Sequence, residues 1–167
     1  MSALRPIASV PELFAHALAI EREACARYLE FGARMRDRDN PIVAGLFFRL
    51  ARNELDHAKR LGEQAAGMAL PQIDPAEYAW LDAGAPETAA HDFIWHFMRP
   101  YHALRIALRG EQRARAFFEA LASAAVGAEV RALADEMARE ERAHVEWVEA
   151  ALAREHPPFP DWDTVSQ

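Results

Sequence analysis

The chain has 167 residues, 51% of them hydrophobic, enough for one substantial core and short of what two domains need. A net charge of -7, with arginines scattered among acids, excludes a phosphate-binding stripe, so nucleic acid is not an expected partner. The single cysteine, Cys25, excludes an internal disulfide and any four-cysteine metal centre built from this sequence, and no apolar run is long enough to cross a membrane, so the expected location is cytoplasmic.

Ser9-Val10-Pro11-Glu12 has the form of a capping box, in which a serine oxygen and a glutamate three residues later satisfy the free amides of a helix start. The helix that follows carries the stripe Phe14, Ala17, Leu18, Glu21, Ala24, Cys25, Tyr28, Gly32, Met35, the three-and-four spacing of a buried face. It ends in the polar run Arg36 to Asn40. Asn40-Pro41 then supplies an N-cap and a first-turn proline for helix two, whose stripe is Val43, Phe47, Leu50, Glu54, His57, Leu61, up to about Gly67. So short a turn makes the two helices antiparallel neighbours.

Prolines, glycines and aspartates break any period from Gly67 to Glu87. The stretch 67–99 reads as a crossover holding a short aromatic helix from His91 to Met98, with Tyr78, Trp80 and Leu81 packed over a bundle end. Pro100 marks the start or a kink of the third long helix, with the stripe Leu104, Leu108, Glu111, Ala114, Phe118, Leu121. After Gly127, helix four carries Val130, Leu133, Met137, Glu141, His144, Val148 and Leu152, and the tail 155–167, with three prolines around Phe159, is extended. The expected class is all-α: one domain over 1–167, an antiparallel four-helix bundle with a long crossover between helices two and three.

Each stripe has a glutamate near its middle, where an apolar residue belongs: Glu21, Glu54, Glu111 and Glu141. An ionised carboxylate in a core costs several kcal/mol unless a positive charge lies beside it, and no lysine or arginine holds a matching stripe position. Two of the glutamates are followed three residues later by histidine, in Glu54-Leu55-Asp56-His57 and Glu141-Arg142-Ala143-His144, so each pair projects from one helix face. Four carboxylates and two neutral imidazoles balance two divalent cations. The pattern is also repeated: Glu21-x-x-Ala24-x-x-x-Tyr28 returns as Glu111-x-x-Ala114-x-x-x-Phe118, each followed at a similar distance by its Glu-x-x-His. Carboxylate and imidazole donors together suit iron, manganese or zinc.

From about Ser9 to Arg154 these residues resemble the rubrerythrin-like branch of the ferritin-like superfamily. The resemblance implies two iron ions per chain, bridged by Glu54 and Glu141, with Glu21 and His57 completing one coordination sphere and Glu111 and His144 the other. It implies that Tyr28 donates a hydrogen bond behind the ligands, a role Phe118 cannot repeat, and that Asn53 and Glu140, just ahead of the two motifs, orient the histidine on the facing helix. Typical relatives have one more glutamate three residues after the helix-three ligand; here that position is Ala114. The implied activity is reduction of hydrogen peroxide or dioxygen, with electrons from a separate donor protein, since a rubredoxin relay needs cysteines this sequence lacks. Iron storage with ferroxidase activity is the main alternative, ahead of a hydroxylase or a di-manganese catalase. Cys25, His16, His91, His96 and His102 read as packing or surface residues, as do Trp80, Trp95, Trp147 and Trp162, and the aromatic crossover points to a homodimer or small homo-oligomer.

Overall fold

In a computed structural model, residues 7–75, 98–124 and 127–157 are described. Four long helices account for most of them: α1 (Val10–Arg36), α2 (Pro41–Gln64), α3 (Pro100–Ala124) and α4 (Ala128–Leu152). The start of α1 follows its capping signal, with one adjustment. Ser9 Oγ accepts the Glu12 N–H at 3.3 Å, but the Glu12 carboxylate accepts from Ala8 N–H, at 3.0 Å, so the box closes one residue early. Asn40 caps α2 by accepting the Val43 N–H at 3.3 Å, and its side-chain amide donates to the Met98 carbonyl at 2.7 Å, tying the first turn to the entrance of α3. Asp39 makes that turn at a φ of 54°.

Helix two stops at Gln64, short of the Gly67 limit expected from the sequence. The chain tightens there: Ala66 N–H bonds the Glu63 carbonyl and Met68 N–H the Ala65 carbonyl, and Gly67 reverses direction at a φ of 81°, a conformation glycine adopts without strain. Pro100 opens α3 and does not kink it. The expected short helix from His91, like Tyr78, Trp80 and Leu81, lies outside the described residues, as does the tail beyond Pro157.

The stripes face inward. Of the positions expected to be buried, Cys25, His57, Leu108, Leu133, His144 and Leu152 are half-buried and the others buried. They form two apolar clusters. One joins Leu13 and Phe14 of α1 with Leu61 of α2, Phe118 and Leu121 of α3, and Val130 and Met137 of α4. The other joins Tyr28 and Met35 with Val43, Phe47, Leu104, Ala107 and Val148. The start of α1 therefore lies beside the ends of α2 and α3 and the start of α4, so α1 and α4 run one way and α2 and α3 the other. A parallel α2 and α3 force the crossover to travel the bundle's length, about 36 Å for a helix of 24 residues, which is why it is long. α1 packs along α2 and α3 along α4, giving two helix hairpins face to face. Among the described residues no helix is long and apolar enough to cross a membrane.

Candidate metal centre

Between the two apolar clusters lies the layer of glutamates. Glu21, Glu54, Glu111 and Glu141 are only 5–7% exposed. They sit mid-helix on inward stripes, so burial of the neighbouring leucines and phenylalanines drags the carboxylates in with them. The donors fall into two groups, Glu21 with Glu54 and His57 on the first hairpin, and Glu111 with Glu141 and His144 on the second; within each, one donor atom from every residue lies within 4.8 Å of the others. The two groups face one another. The His57 and His144 rings stack with centroids 4.1 Å apart and planes at 14°, and all four glutamates line one cavity of about 10 Å³.

Electrostatics show what this costs without cations. Burial, then the charge of Glu111 and a hydrogen bond with Glu21, holds the Glu54 carboxyl well above the usual carboxylate range. Burial also pushes Glu141 up to about 8, against the opposing pull of His144. Burial alone would lower the His144 pKa, but hydrogen bonds and charge from Glu111 and Glu141, each 3.4 Å from its Nδ1, raise it to about 10. His57 Nδ1 is 3.6 Å from Glu21 and has no hydrogen-bond partner, although it is buried. A buried imidazole nitrogen without a hydrogen-bond partner and buried carboxyls driven toward their protonated form are the features of a donor set suited to cations. Two divalent ions would cancel the four charges and give His57 a partner, so the residues fit a di-metal centre.

The structure gathers the six expected ligands and places Tyr28 beside them. Tyr28 is buried, lines the same cavity, and its hydroxyl pKa is raised well above its usual value by burial, then by Glu111, Glu54, Glu141 and Glu21. Asn53 and Glu140 are both exposed, His57 Nδ1 has no hydrogen-bond partner, and the hydrogen bonds that raise His144 come from Glu111 and Glu141. Each precedes its motif glutamate by one residue, and one residue turns a helix by about 100°, which carries these side chains off the inward face. Phe118 lies where a second tyrosine would, against Phe117 at 5.1 Å. His16 is buried beside Phe117, centroids 5.9 Å apart, which is packing, and His102 Nδ1 accepts the Arg99 N–H at 3.0 Å, away from the glutamate layer. Sequence reading passed over Ile20 and Gly110, which also line the cavity with Ala114. The available signal was the run of small residues on α3, Ala107, Gly110 and Ala114, flanking a buried glutamate.

Fold and donors together define a four-helix bundle with a carboxylate- and histidine-based di-metal site. The chain belongs to the rubrerythrin family: the Rubrerythrin family model matches residues 12–89 and 102–158. It is also similar to an uncharacterized conserved protein from Magnetospirillum magnetotacticum MS-1, known from a crystal structure, with 29% identity and a TM-score of 0.74 over 90% of this chain and 97% of that one. No curated protein matches it.

Proposed function

We propose that this protein is a di-iron oxidoreductase that reduces hydrogen peroxide, dioxygen or both. The observation that carries the reading is the pair of facing Glu-Glu-His groups, whose four buried carboxylates line one cavity that, among the described residues, no lysine or arginine enters. In this reading Glu54 and Glu141 would bridge, Glu21 with His57 and Glu111 with His144 would complete the two spheres, and manganese or zinc would fit the same donors. Iron held there would, when ferrous, supply the two electrons that, with two protons, convert one peroxide into two waters. The protein's own part is to keep bulk water out, to change carboxylate posture as the charge changes, and to hold a proton at the Tyr28 hydroxyl. Reducing equivalents come from a separate donor protein, and a homodimer or small homo-oligomer is the proposed assembly.

Anaerobic stopped-flow mixing of the reduced, iron-loaded protein with peroxide and, separately, with dioxygen tests this: rapid bleaching or colouring of the iron absorption with one of them is expected, and inertness to both would sink it. One observation favours a second reading. Ala114 lines the cavity where many relatives place a further carboxylate, leaving a symmetric ligand set of the kind used in iron storage. Light scattering separates the two, since storage needs a cage of many subunits and reduction of peroxide does not.

A further inference from the structure

Two small cavities meet at Tyr28. The inner one is the glutamate-lined space, which also includes Ala24 and Tyr28 in its wall. An outer one, of about 20 Å³, lies between α1 and α3 and is lined by Ala24, Arg27, Tyr28, Phe31 and Ile106. Ala24 and Tyr28 belong to the walls of both. We infer that these cavities form the route by which a small neutral oxidant reaches the centre, with Ile106 as its outer wall and Tyr28 as its inner one. The inference rests on the di-iron reading above.

The lining identifies the traveller. Apart from Arg27 at the rim and the Tyr28 hydroxyl, the outer cavity is apolar, and carboxylates enter the wall only in the inner one. The Arg27 side chain, 30% exposed, is held at the rim by Glu23 at 2.8 Å and Glu30 at 3.0 Å. A hydrated divalent cation would meet a guanidinium, with Glu23 and Glu30 already engaged by it, and would then have to shed water in an outer cavity whose lining offers no carboxylate to replace it. Peroxide and dioxygen are uncharged and need only room, and spaces of this size admit about one water-sized body each. Organic hydroperoxides are too large. The seam is roomy because small residues face it: Ala24 on α1, and Gly110 and Ala114 on α3. The Tyr28 ring stacks on Phe47 with centroids 6.2 Å apart, and in the inferred route a small swing of this one ring would suffice to open the passage.

The test uses nitric oxide, a neutral diatomic probe, with the iron-loaded, reduced protein. In Ile106→Trp, which plugs the outer cavity several residues from any ligand, iron should remain at two per chain and the final amount of nitrosyl complex should be unchanged, while its association rate falls on the order of tenfold. Ile106→Ala should accelerate association and admit tert-butyl hydroperoxide as an oxidant of the reduced iron. Melting of the metal-free variants verifies that each is folded; should the tryptophan variant not fold, the alanine variant decides alone. Association rates equal to wild type in the folded variants, with iron bound, overturn the route. Failure of the wild type itself to bind iron overturns the di-iron reading instead.

Discussion

The two helix hairpins carry the same three donors and satisfy them differently. On the second hairpin His144 Nδ1 stands 3.4 Å from both Glu111 and Glu141, whose hydrogen bonds and charge push its pKa up to about 10 against the opposing effect of burial. On the first, His57 approaches only Glu21, at 3.6 Å, its Nδ1 lacks a hydrogen-bond partner, and the carboxyls turn to one another, with a raised Glu54 hydrogen-bonded to Glu21. Helical spacing fixes which donors converge. The placement of each ring against its carboxyls is left to the packing around it. The difference teaches that the repeat is a symmetry of ligands and not of environments, and Tyr28 opposite Phe118 says the same.

The sharpest way to break the comparison is to remove its shared members. In the proposed centre Glu54 and Glu141 would each bridge both metals, so Glu54→Ala or Glu141→Ala should lower metal content from the proposed two per chain to well below that, despite their different surroundings. Elemental analysis giving unchanged occupancy in both variants would refute the di-metal centre. A rise or fall confined to one hairpin would show that the metals bind independently.

Next in size is a pH effect. Glu141, lifted to about 8 from the ordinary 4.5, and His144, lifted to about 10 from 6.5, both bind protons more tightly in the folded chain than in the unfolded one. Stability from Glu141 is therefore full below pH 4.5 and lost as pH rises through 8; that from His144 is full below 6.5 and lost as pH rises through 10. The raised Glu54 acts in the same direction. The metal-free protein should melt progressively lower from pH 5 to pH 9. Loading reverses the sign, because metals bind the deprotonated donors and their affinity grows with pH. Calorimetry of both forms across that range checks it, and a metal-free melting temperature that climbs with pH would contradict the protonation pattern.

Much of this was legible from residue order. The stripes around Glu21, Glu54, Glu111 and Glu141 follow from helical periodicity, and the antiparallel first pair from a turn as short as Asp37–Asn40. The same periodicity sets Asn53 and Glu140, one position from a buried glutamate, about 100° off the inward stripe, and both are exposed. What sequence could not carry is the unequal treatment of His57 and His144, which depends on distances that a shared motif does not encode. Nor does a stripe disclose a void: the cavities at Tyr28 arise from small residues on two helices far apart in the chain.

Helix spacing offers a subtler contrast. Gly32 lies as far beyond Glu21 as Ala122 lies beyond Glu111, so the first hairpin has a glycine where the second has alanine. A Cβ at Gly32 would meet the Phe48 ring at 2.5 Å, so α1 and α2 approach there more closely than an alanine permits. Gly32→Ala should cost about 1–3 kcal/mol, the range for overpacking, eased to the extent that the half-buried Phe48 ring can turn away. Urea titration measures it. A stabilised variant would mean that the ring moves freely and the close approach is incidental.

The smallest expected effect concerns geometry within the centre. Where relatives have a carboxylate three residues after the helix-three ligand, a metal on the first hairpin's side can exchange histidine for that carboxylate as its charge changes. Ala114 has no donor atom, and it faces the glutamate-lined cavity from the place such a carboxylate would occupy. Among the described residues, His57 with Glu21 and Glu54 is the whole donor set on that hairpin. His57 should therefore stay bound in both oxidation states, the two hairpins should behave alike once loaded, and discrimination between peroxide and dioxygen should be weak. Structures of the oxidised and reduced protein decide the matter, with metal positions expected to agree within about 1 Å, the scale a close-packed core tolerates. Ala114→Glu sharpens the test, since restoring the carboxylate should permit the exchange and move the metal in one oxidation state only. A metal that leaves His57 in the unaltered protein would show that some other group, outside the six gathered donors, completes the site.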